Sequence, residues 1–144
     1  MIKKILLGFT ILLLSFNLFA QTSTRTTIAK HRVVIQLSSN DTMAWKGLMK
    51  NIEALKNAFS DSVTIEVVAH SNGIEFLVLG KTTQQARIAY FKSNSIQFVA
   101  CENTLRERKI PRETIIPEAG FVKSGVAEVI LKQEQGWSYI KAGF

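Results

Sequence analysis

The sequence is short of the residues that form covalent cross-links and metal sites. It has one cysteine, Cys101, and two histidines, His31 and His70. A single cysteine excludes an internal disulfide, so the fold must be stabilised by burial of apolar side chains. One cysteine and two histidines are too few soft ligands for a conventional zinc site, and we predict no metal. The Cys101 thiol is then either buried and inert or accessible and reactive.

Several motifs of catalysis and cofactor binding are also absent. The sequence has no glycine-rich phosphate loop, no C-x-x-C, no G-x-S-x-G and no H-E-x-x-H, and we predict no cofactor. The formal net charge of +7 favours anionic partners. Basic residues are scattered apart from a cluster of Arg106, Arg108, Lys109 and Arg112, which we interpret as solvated surface. No basic stripe is interleaved with aromatic residues, so we predict no nucleic-acid partner.

The first twenty residues have the layout of a secretory signal. Lys3 and Lys4 precede an apolar run from Ile5 to Leu14, and Ala20 precedes polar Gln21. The run is shorter than the roughly 20 residues that span a bilayer. We therefore predict a signal peptide over 1–20, a flexible leader over 21–30 and one domain over 31–144. The mature protein is expected to be periplasmic or secreted, without stable membrane insertion.

Apolar periodicity along the rest of the chain predicts alternating strands and helices. Apolar runs predict strands at 32–37, 63–69, 95–100, 120–123 and 137–141, and spacings of three and four predict helices between them. In two of these helices the predicted inward residues are Ala86, Ala89 and Tyr90, and Val126, Val129, Ile130 and Gln133. The apolar stretch over 74–79 fits either a short helix or a strand, and we favour the helix. The alternation predicts a three-layer α/β fold of about five mainly parallel strands flanked by helices.

Polar residues gather where the predicted strands end. In open α/β sheets, ligands bind outside the carboxyl ends of the strands. The candidate ligand-binding residues at these ends are Ser38, Asn40, Asn72, Glu102, Asn103, Ser124 and Gly125. Several of them precede predicted helices, whose first N–H groups favour an anion.

Cys101 is the best candidate for chemistry. It ends the third predicted strand and directly precedes a helix, where the pKa of a thiol is lowered and the reactive thiolate is favoured. The alternative is a small, buried, inert side chain. His70 ends the second strand and is a candidate base or thiolate partner, or else a hydrogen-bonded structural residue.

Four segments resemble the DsrE/DsrF-like family. They are V-V-I-Q-L in the first strand, E-V-V-A-H with Asn72-Gly73, F-V-A-C-E-N-T-L at 98–105, and S-G-V-A-E-V-I with G-W-S-Y-I near the end. The resemblance implies a flavodoxin-like or Rossmann-like sheet, homo-oligomers such as trimers or hexamers, and a cysteine at position 101 that carries sulfur as a persulfide. The family's loop often reads His-Gly-x-Gly, and Ser71 in place of the first glycine disfavours a positive φ there.

Together these observations favour a persulfide carrier or sulfurtransferase-like thiol protein that uses Cys101 as nucleophile and His70 as its partner. Its partners would be a sulfur donor or acceptor protein, or a small sulfur compound. One alternative is a non-catalytic module that binds a small anion or nucleotide at the strand ends. Another is a structural homo-oligomer in which Cys101 is buried.

Overall fold

A computed structural model describes residues 30–143. The regular elements are β1 His31–Leu37, α1 Thr42–Phe59, β2 Val63–Ala69, α2 Gln85–Ser93, β3 Gln97–Cys101, α3 Glu102–Glu107, β4 Gly120–Val122, α4 Gly125–Glu134 and β5 Ser138–Ala142. Short 3₁₀ segments occupy Ser60–Ser62, Ser71–Leu77 and Arg112–Thr114. The predicted signal peptide and all of the predicted leader except Lys30 lie outside the described residues.

The five strands form one parallel sheet in the order β4-β3-β2-β1-β5. The chain moves in one direction from β1 to β4 and then returns across the sheet to place β5 beside β1. Because parallel crossovers are right-handed, this reversal puts α4 on the opposite face of the sheet from α1, α2 and α3. The result is the three-layer α/β fold that the alternation predicts.

The main core lies between the sheet and α1, α2 and α3, and we call this side of the sheet the apolar face. Asp41 begins α1, since its carboxylate accepts the N–H of Met43 at 2.8 Å. Trp45, Leu48 and Ile52 then share one buried stripe of that helix. They pack on fully buried side chains of the strands and the 3₁₀ segment, including Ile35, Ile65, Phe76 and Phe98.

The other side of the sheet is covered by α4, and we call it the α4 face. Val34, Val68, Val99 and Val129 form a small apolar cluster there. The predicted inward stripe of α4 is wrong at Val126 and Ile130, which are 53% and 50% exposed, and at Gln133, which is also exposed. The helix instead places Gly125 and Val129 on the sheet, and in this orientation Lys132 reaches Glu66 in the middle of β2.

Glu66 and Lys132 form an ion pair beneath α4. Glu66 is 3% exposed, and its Oε2 accepts from Lys132 Nζ at 2.7 Å, while its Oε1 has no partner among the described residues. Lys132 Nζ also lies 3.5 Å from the Glu128 carboxylate and 4.4 Å from the centre of the Trp137 ring. Burial raises the pKa of Glu66 and outweighs the lowering effect of Lys132, so the net pKa of this carboxyl is raised.

Two further segments differ from the periodicity prediction. The segment expected as a short helix is a 3₁₀ turn over Ser71–Leu77, followed by an antiparallel bridge between Val78 and Ile115. In α2 the buried residues are Ile88 and Phe91, whereas Ala86 and Tyr90, both predicted to face inward, are exposed. The Thr82 hydroxyl accepts the N–H of Gln84 in a turn, so this helix begins only at Gln85.

Candidate functional site

The parallel register brings Cys101, His70 and Gly125 together at the carboxyl edge of the sheet. Ala69 pairs with Ala100, so the residues that follow them, His70 and Cys101, end neighbouring strands. Gly125 opens α4 directly against both, because a Cβ at Gly125 would lie 3.0 Å from His70 Cβ and 3.3 Å from Cys101 Cβ. A Cβ at this position would be closer to both neighbours than ordinary van der Waals contact, and glycine avoids that crowding.

The Cys101 sulfur is held by backbone N–H groups from two helices. Sγ accepts from Gly125 N at 3.1 Å and from Thr104 N at 3.5 Å, so the thiol occupies the capping position of α3. Burial raises the pKa of the thiol, but hydrogen bonds from the Thr104 hydroxyl and from the N–H groups of Gly125 and Thr104 outweigh it. The net pKa is lowered, which favours the thiolate.

A chain of polar contacts connects this sulfur to the α4 face. The Thr104 hydroxyl that acts on Cys101 accepts the N–H of Ser71 at 3.0 Å. Ser71 Oγ lies 2.9 Å from His70 Nδ1, and Gln36 Nε2 lies 2.7 Å from His70 Nε2. The Tyr139 hydroxyl donates to Gln36 Oε1 and thereby orients the Gln36 amide.

These contacts define the tautomer of the His70 ring. The Gln36 amide nitrogen can only donate, so His70 Nε2 accepts, and the ring proton is on Nδ1, where it is donated to Ser71. Burial lowers the pKa of His70, in agreement with a neutral ring. Both ring nitrogens are occupied, so within residues 30–143 His70 reaches Cys101 through Ser71 and Thr104.

The other predicted site residues lie in the loops around this sulfur. The Asn103 N–H donates to the carbonyl oxygen of Lys123 at 3.2 Å, and Ser124 caps α4 by accepting from Ala127 N at 3.4 Å. Glu102 accepts from Arg112, and Asn72 accepts from Arg108. At the end of β1, Asn40 interacts with Glu75, and Ser38 packs over Gly73, away from the thiol contacts.

The loop after β2 departs from its prediction. Ser71 has a φ of +50°, so it adopts the left-handed conformation that its side chain disfavours. Position 73 requires glycine, because a Cβ there would lie 2.3 Å from the carbonyl oxygen of Leu37. The loop therefore keeps a positive φ without the glycine, and the hydrogen bonds of Ser71 to His70 and Thr104 hold it in place.

The family follows from comparison with known proteins. The DsrE/DsrF-like family model matches residues 31–142. The chain belongs to this family. A solved structure of similar fold is MTH1491 from Methanobacterium thermoautotrophicum, a protein of unknown function. It is 30% identical, covers 77% of this chain and 98% of its own, and superposes with a TM-score of 0.74. No curated relative matches the chain.

The described part of this DsrE/DsrF-like chain has neither a cluster of metal-ligating side chains nor a membrane-spanning helix. Within residues 30–143 there is no group of three or more His, Cys, Asp or Glu side chains placed to hold a metal ion. Among the helices of the same region, none is both long enough and apolar enough to cross a membrane.

Thr104 and Gln36 are the site residues that sequence reasoning missed. Thr104 is three residues after Cys101, the spacing at which a backbone N–H donates to a helix-capping side chain. The sequence therefore contained a signal for this contact. Gln36 interrupts the apolar run V-V-I-Q-L of β1. Its polarity indicates a buried partner, but nothing in the sequence says that the partner is His70.

Proposed function

We propose that this DsrE/DsrF-like protein is a persulfide carrier or sulfurtransferase-like thiol protein in which Cys101 bears the sulfur. The observation that supports the proposal best is the hydrogen bond to Cys101 Sγ from Gly125 N at 3.1 Å, at the start of α4. A sulfur that accepts N–H groups carries more negative charge, and the thiolate is the form that attacks sulfur compounds. The association of this family with sulfur relays agrees with that chemistry.

In this proposal the thiolate attacks the outer sulfur of a sulfane-sulfur donor and forms a new S–S bond. The bond between that sulfur and the rest of the donor breaks, the rest of the donor leaves with its electron pair, and Cys101 is left as a persulfide. The N–H groups of Gly125 and Thr104 stabilise the negative charge on the cysteine before the attack. His70 is a positioning residue, because it acts on the thiol through Ser71 and Thr104. Its neutral ring holds the Ser71 loop, whose N–H orients the Thr104 hydroxyl.

The test is intact mass spectrometry of the purified protein after incubation with sulfane-sulfur donors. We expect a gain of about one sulfur mass that is reversed by a reductant. Cys101→Ser is the matched control and should show no gain while it keeps the circular dichroism spectrum of the wild type. The proposal would be overturned if wild type with an unmodified thiol gained sulfur from neither a hydropolysulfide nor thiosulfate.

A homo-oligomer is a second proposal, which the exposed surface of α4 supports. Val126, Ile130 and Leu131 are each about half exposed, and Tyr139 on the same face of the sheet is 41% exposed. Grouped apolar side chains on a surface are typical of protein contacts. Light scattering should give a multiple of the chain mass, and Ile130→Lys should reduce it. A monomeric wild type would contradict this second proposal.

We also propose that the protein is exported, which rests on the N-terminal pattern in the sequence. Expression of the full chain, followed by fractionation and N-terminal sequencing, should find a form that begins at Gln21 outside the cytoplasm. An uncleaved chain in the cytoplasm would contradict it.

A further inference from the structure

The outer surface of α1 is the strongest feature that the proposed function leaves unused. This helix buries Trp45, Leu48 and Ile52 against the sheet, while Met43 at its start is 66% exposed. The surface is bordered by β5, which lies three strands away from β3, the strand that ends in Cys101. It is therefore separate from the thiol site.

Gly47 lowers the stability of α1 without helping its packing. Glycine in the middle of a helix is about 1 kcal/mol less favourable than alanine. A Cβ at position 47 would meet no atom within 4 Å, so the fold has room for a side chain there. A glycine that the fold does not require still allows the backbone of another chain to approach closely. Gly47 leaves such an opening on the outer side of the helix.

Two grooves meet at this opening. The first, of about 430 Å³, lies between α1 and the end of β5, and its lining includes Ala44 and Leu48. The second, of about 450 Å³, lies between α1 and the start of α2, where it reaches Arg87. Met43 and Gly47 line both grooves. The surface is therefore concave on both sides of these two residues.

The groove beside α2 is positively charged. Lys46, Lys50 and Arg87 line it, and the described part of its lining includes no acidic residue. Arg87 pairs with Glu53 at 3.2 Å, whereas none of the salt bridges within residues 30–143 includes Lys46 or Lys50. Because like charges four residues apart destabilise a helix, this pair of lysines does not stabilise α1. It does favour a negatively charged partner.

The shape and charge of this surface favour a polypeptide over a bilayer or a small anion. A bilayer is flat, whereas this surface is concave on both sides of Gly47. A small anion needs donors that converge on it, whereas Lys46 and Lys50 are exposed side chains on one helix. An extended polypeptide can place an apolar side chain in one groove and acidic side chains in the other, as in interfaces with an apolar core and a polar rim.

We propose that the outer surface of α1 binds an acidic segment of another polypeptide, whose backbone crosses the helix at Gly47. An aliphatic side chain of that segment fills the groove beside Leu48, and its carboxylates bind Lys46 and Lys50. This docking surface is independent of the proposed function, because no residue of the thiol site takes part in it.

The test is a selection of short random peptides, displayed on phage, against the purified protein. Peptides that are enriched are then synthesised with a fluorescent label, and their affinity is measured by fluorescence anisotropy. We expect the selected peptides to share several Asp or Glu residues around one Leu, Ile or Met. Added salt should weaken their binding, since screening reduces the attraction between exposed charges.

Two variants test the two parts of the surface. Lys46→Glu/Lys50→Glu reverses its charge, and Gly47→Leu fills its opening without a clash at the new Cβ. Each should weaken peptide binding by about tenfold or more, while Gly47→Ala should have a smaller effect. The matched charge control is Lys92→Glu/Lys123→Glu, which changes two exposed lysines that line neither groove. The control should bind like wild type, and all variants should keep the circular dichroism spectrum of wild type.

Recovery of no binding peptide would overturn the inference, and so would peptides that bind wild type and Lys46→Glu/Lys50→Glu equally. Phosphatidylglycerol vesicles that bind wild type where no peptide does would overturn it and assign the surface to lipid. Light scattering that shows loss of an oligomer in Lys46→Glu/Lys50→Glu, again without peptide binding, would overturn it and assign the surface to a second copy. Each of these results would leave sulfur loading on Cys101, and with it the proposed function, untouched.

Discussion

The two faces of the sheet differ in what they bury. The apolar face buries large side chains such as Phe76, Phe98 and Ile35 beneath α1, α2 and α3. The α4 face buries four valines, and it also contains the Glu66–Lys132 pair and the contacts from Tyr139 through Gln36 to His70. Apolar burial stabilises the fold, whereas buried polar groups cost stability unless they are paired. The main apolar core and the candidate functional site therefore lie on opposite faces of the same sheet.

The largest expected effect is on the apolar face, with Phe76→Ala. Phe76 is fully buried, and its ring centre lies 5.7 Å from that of Trp45 and 6.3 Å from that of Phe98. We expect the free energy of unfolding to fall by about 3 to 5 kcal/mol in urea denaturation. Phe76→Leu, which leaves less empty space, should cost less than half as much. A loss under about 1 kcal/mol for the alanine variant would break the assignment of the core to this face.

The next effect is on the α4 face, with Lys132→Met. Removal of the lysine leaves the buried Glu66 carboxylate without a partner, so we expect a loss of about 3 kcal/mol at neutral pH. The pKa of Glu66 is raised in the folded chain, so protonation favours folding. The contribution of this carboxyl is greatest at acid pH and is lost as the pH rises through its folded pKa. The loss in Lys132→Met should therefore grow with increasing pH.

The control for this variant is the double change Glu66→Gln/Lys132→Met, which leaves no buried charge. It should recover much of the stability and lose the pH dependence of the single variant. Urea denaturation at several pH values measures both. Equal destabilisation of the single and double variants at every pH would show that the lysine stem packs but that its charge has no role.

A smaller effect is expected where α4 meets the thiol, with Gly125→Ala. The new Cβ would lie 3.0 Å from His70 Cβ and 3.2 Å from Val68 Cγ1, so α4 must shift, at a cost of about 1 to 3 kcal/mol. The shift lengthens the hydrogen bond from Gly125 N to Cys101, and we expect the pKa of the thiol to rise. The pH profile of alkylation measures this change.

Gly47→Ala in α1 is the matched control. A Cβ at this position meets no atom within 4 Å, so the substitution should raise stability by about 0.5 to 1 kcal/mol through helix propensity. It should leave the thiol pKa unchanged. An alkylation profile that moves equally in both glycine variants would contradict the role of the Gly125 N–H.

The smallest effect on stability is expected for Gln36→Glu. A carboxylate in place of the amide accepts from His70 Nε2 instead of donating to it, so the imidazolium is favoured and the pKa of His70 rises. In wild type this pKa is lowered, so the stability that His70 contributes is lost as the pH falls through the usual histidine range. The variant should lose less on acidification. NMR titration of the His70 ring measures the pKa, and a titration identical to wild type would contradict the assigned contact.

Much of the fold could be predicted from residue patterns. The β-branched runs of β1 and β2 predict buried parallel strands, and the rule for strand ends places Cys101 and His70 at the same edge of the sheet. The face of α4 could not be predicted in the same way. A stripe of Val126, Val129 and Ile130 is more apolar than the observed stripe of Gly125, Val129 and Lys132, and apolar periodicity selects the former. In the observed orientation of α4, Lys132 pairs with Glu66, which is distant in the chain.

The sequence by itself determined the alternation of strands and helices, the single thiol at a strand end and the family, because these depend on local patterns along the chain. Only the tertiary structure decided which groups surround that thiol. The N–H of Gly125 comes from another crossover, and the contact of Gln36 with His70 joins two strands. Hydrogen bonds and charge contacts between distant segments leave no periodic signal, so they emerge only when the sheet is assembled.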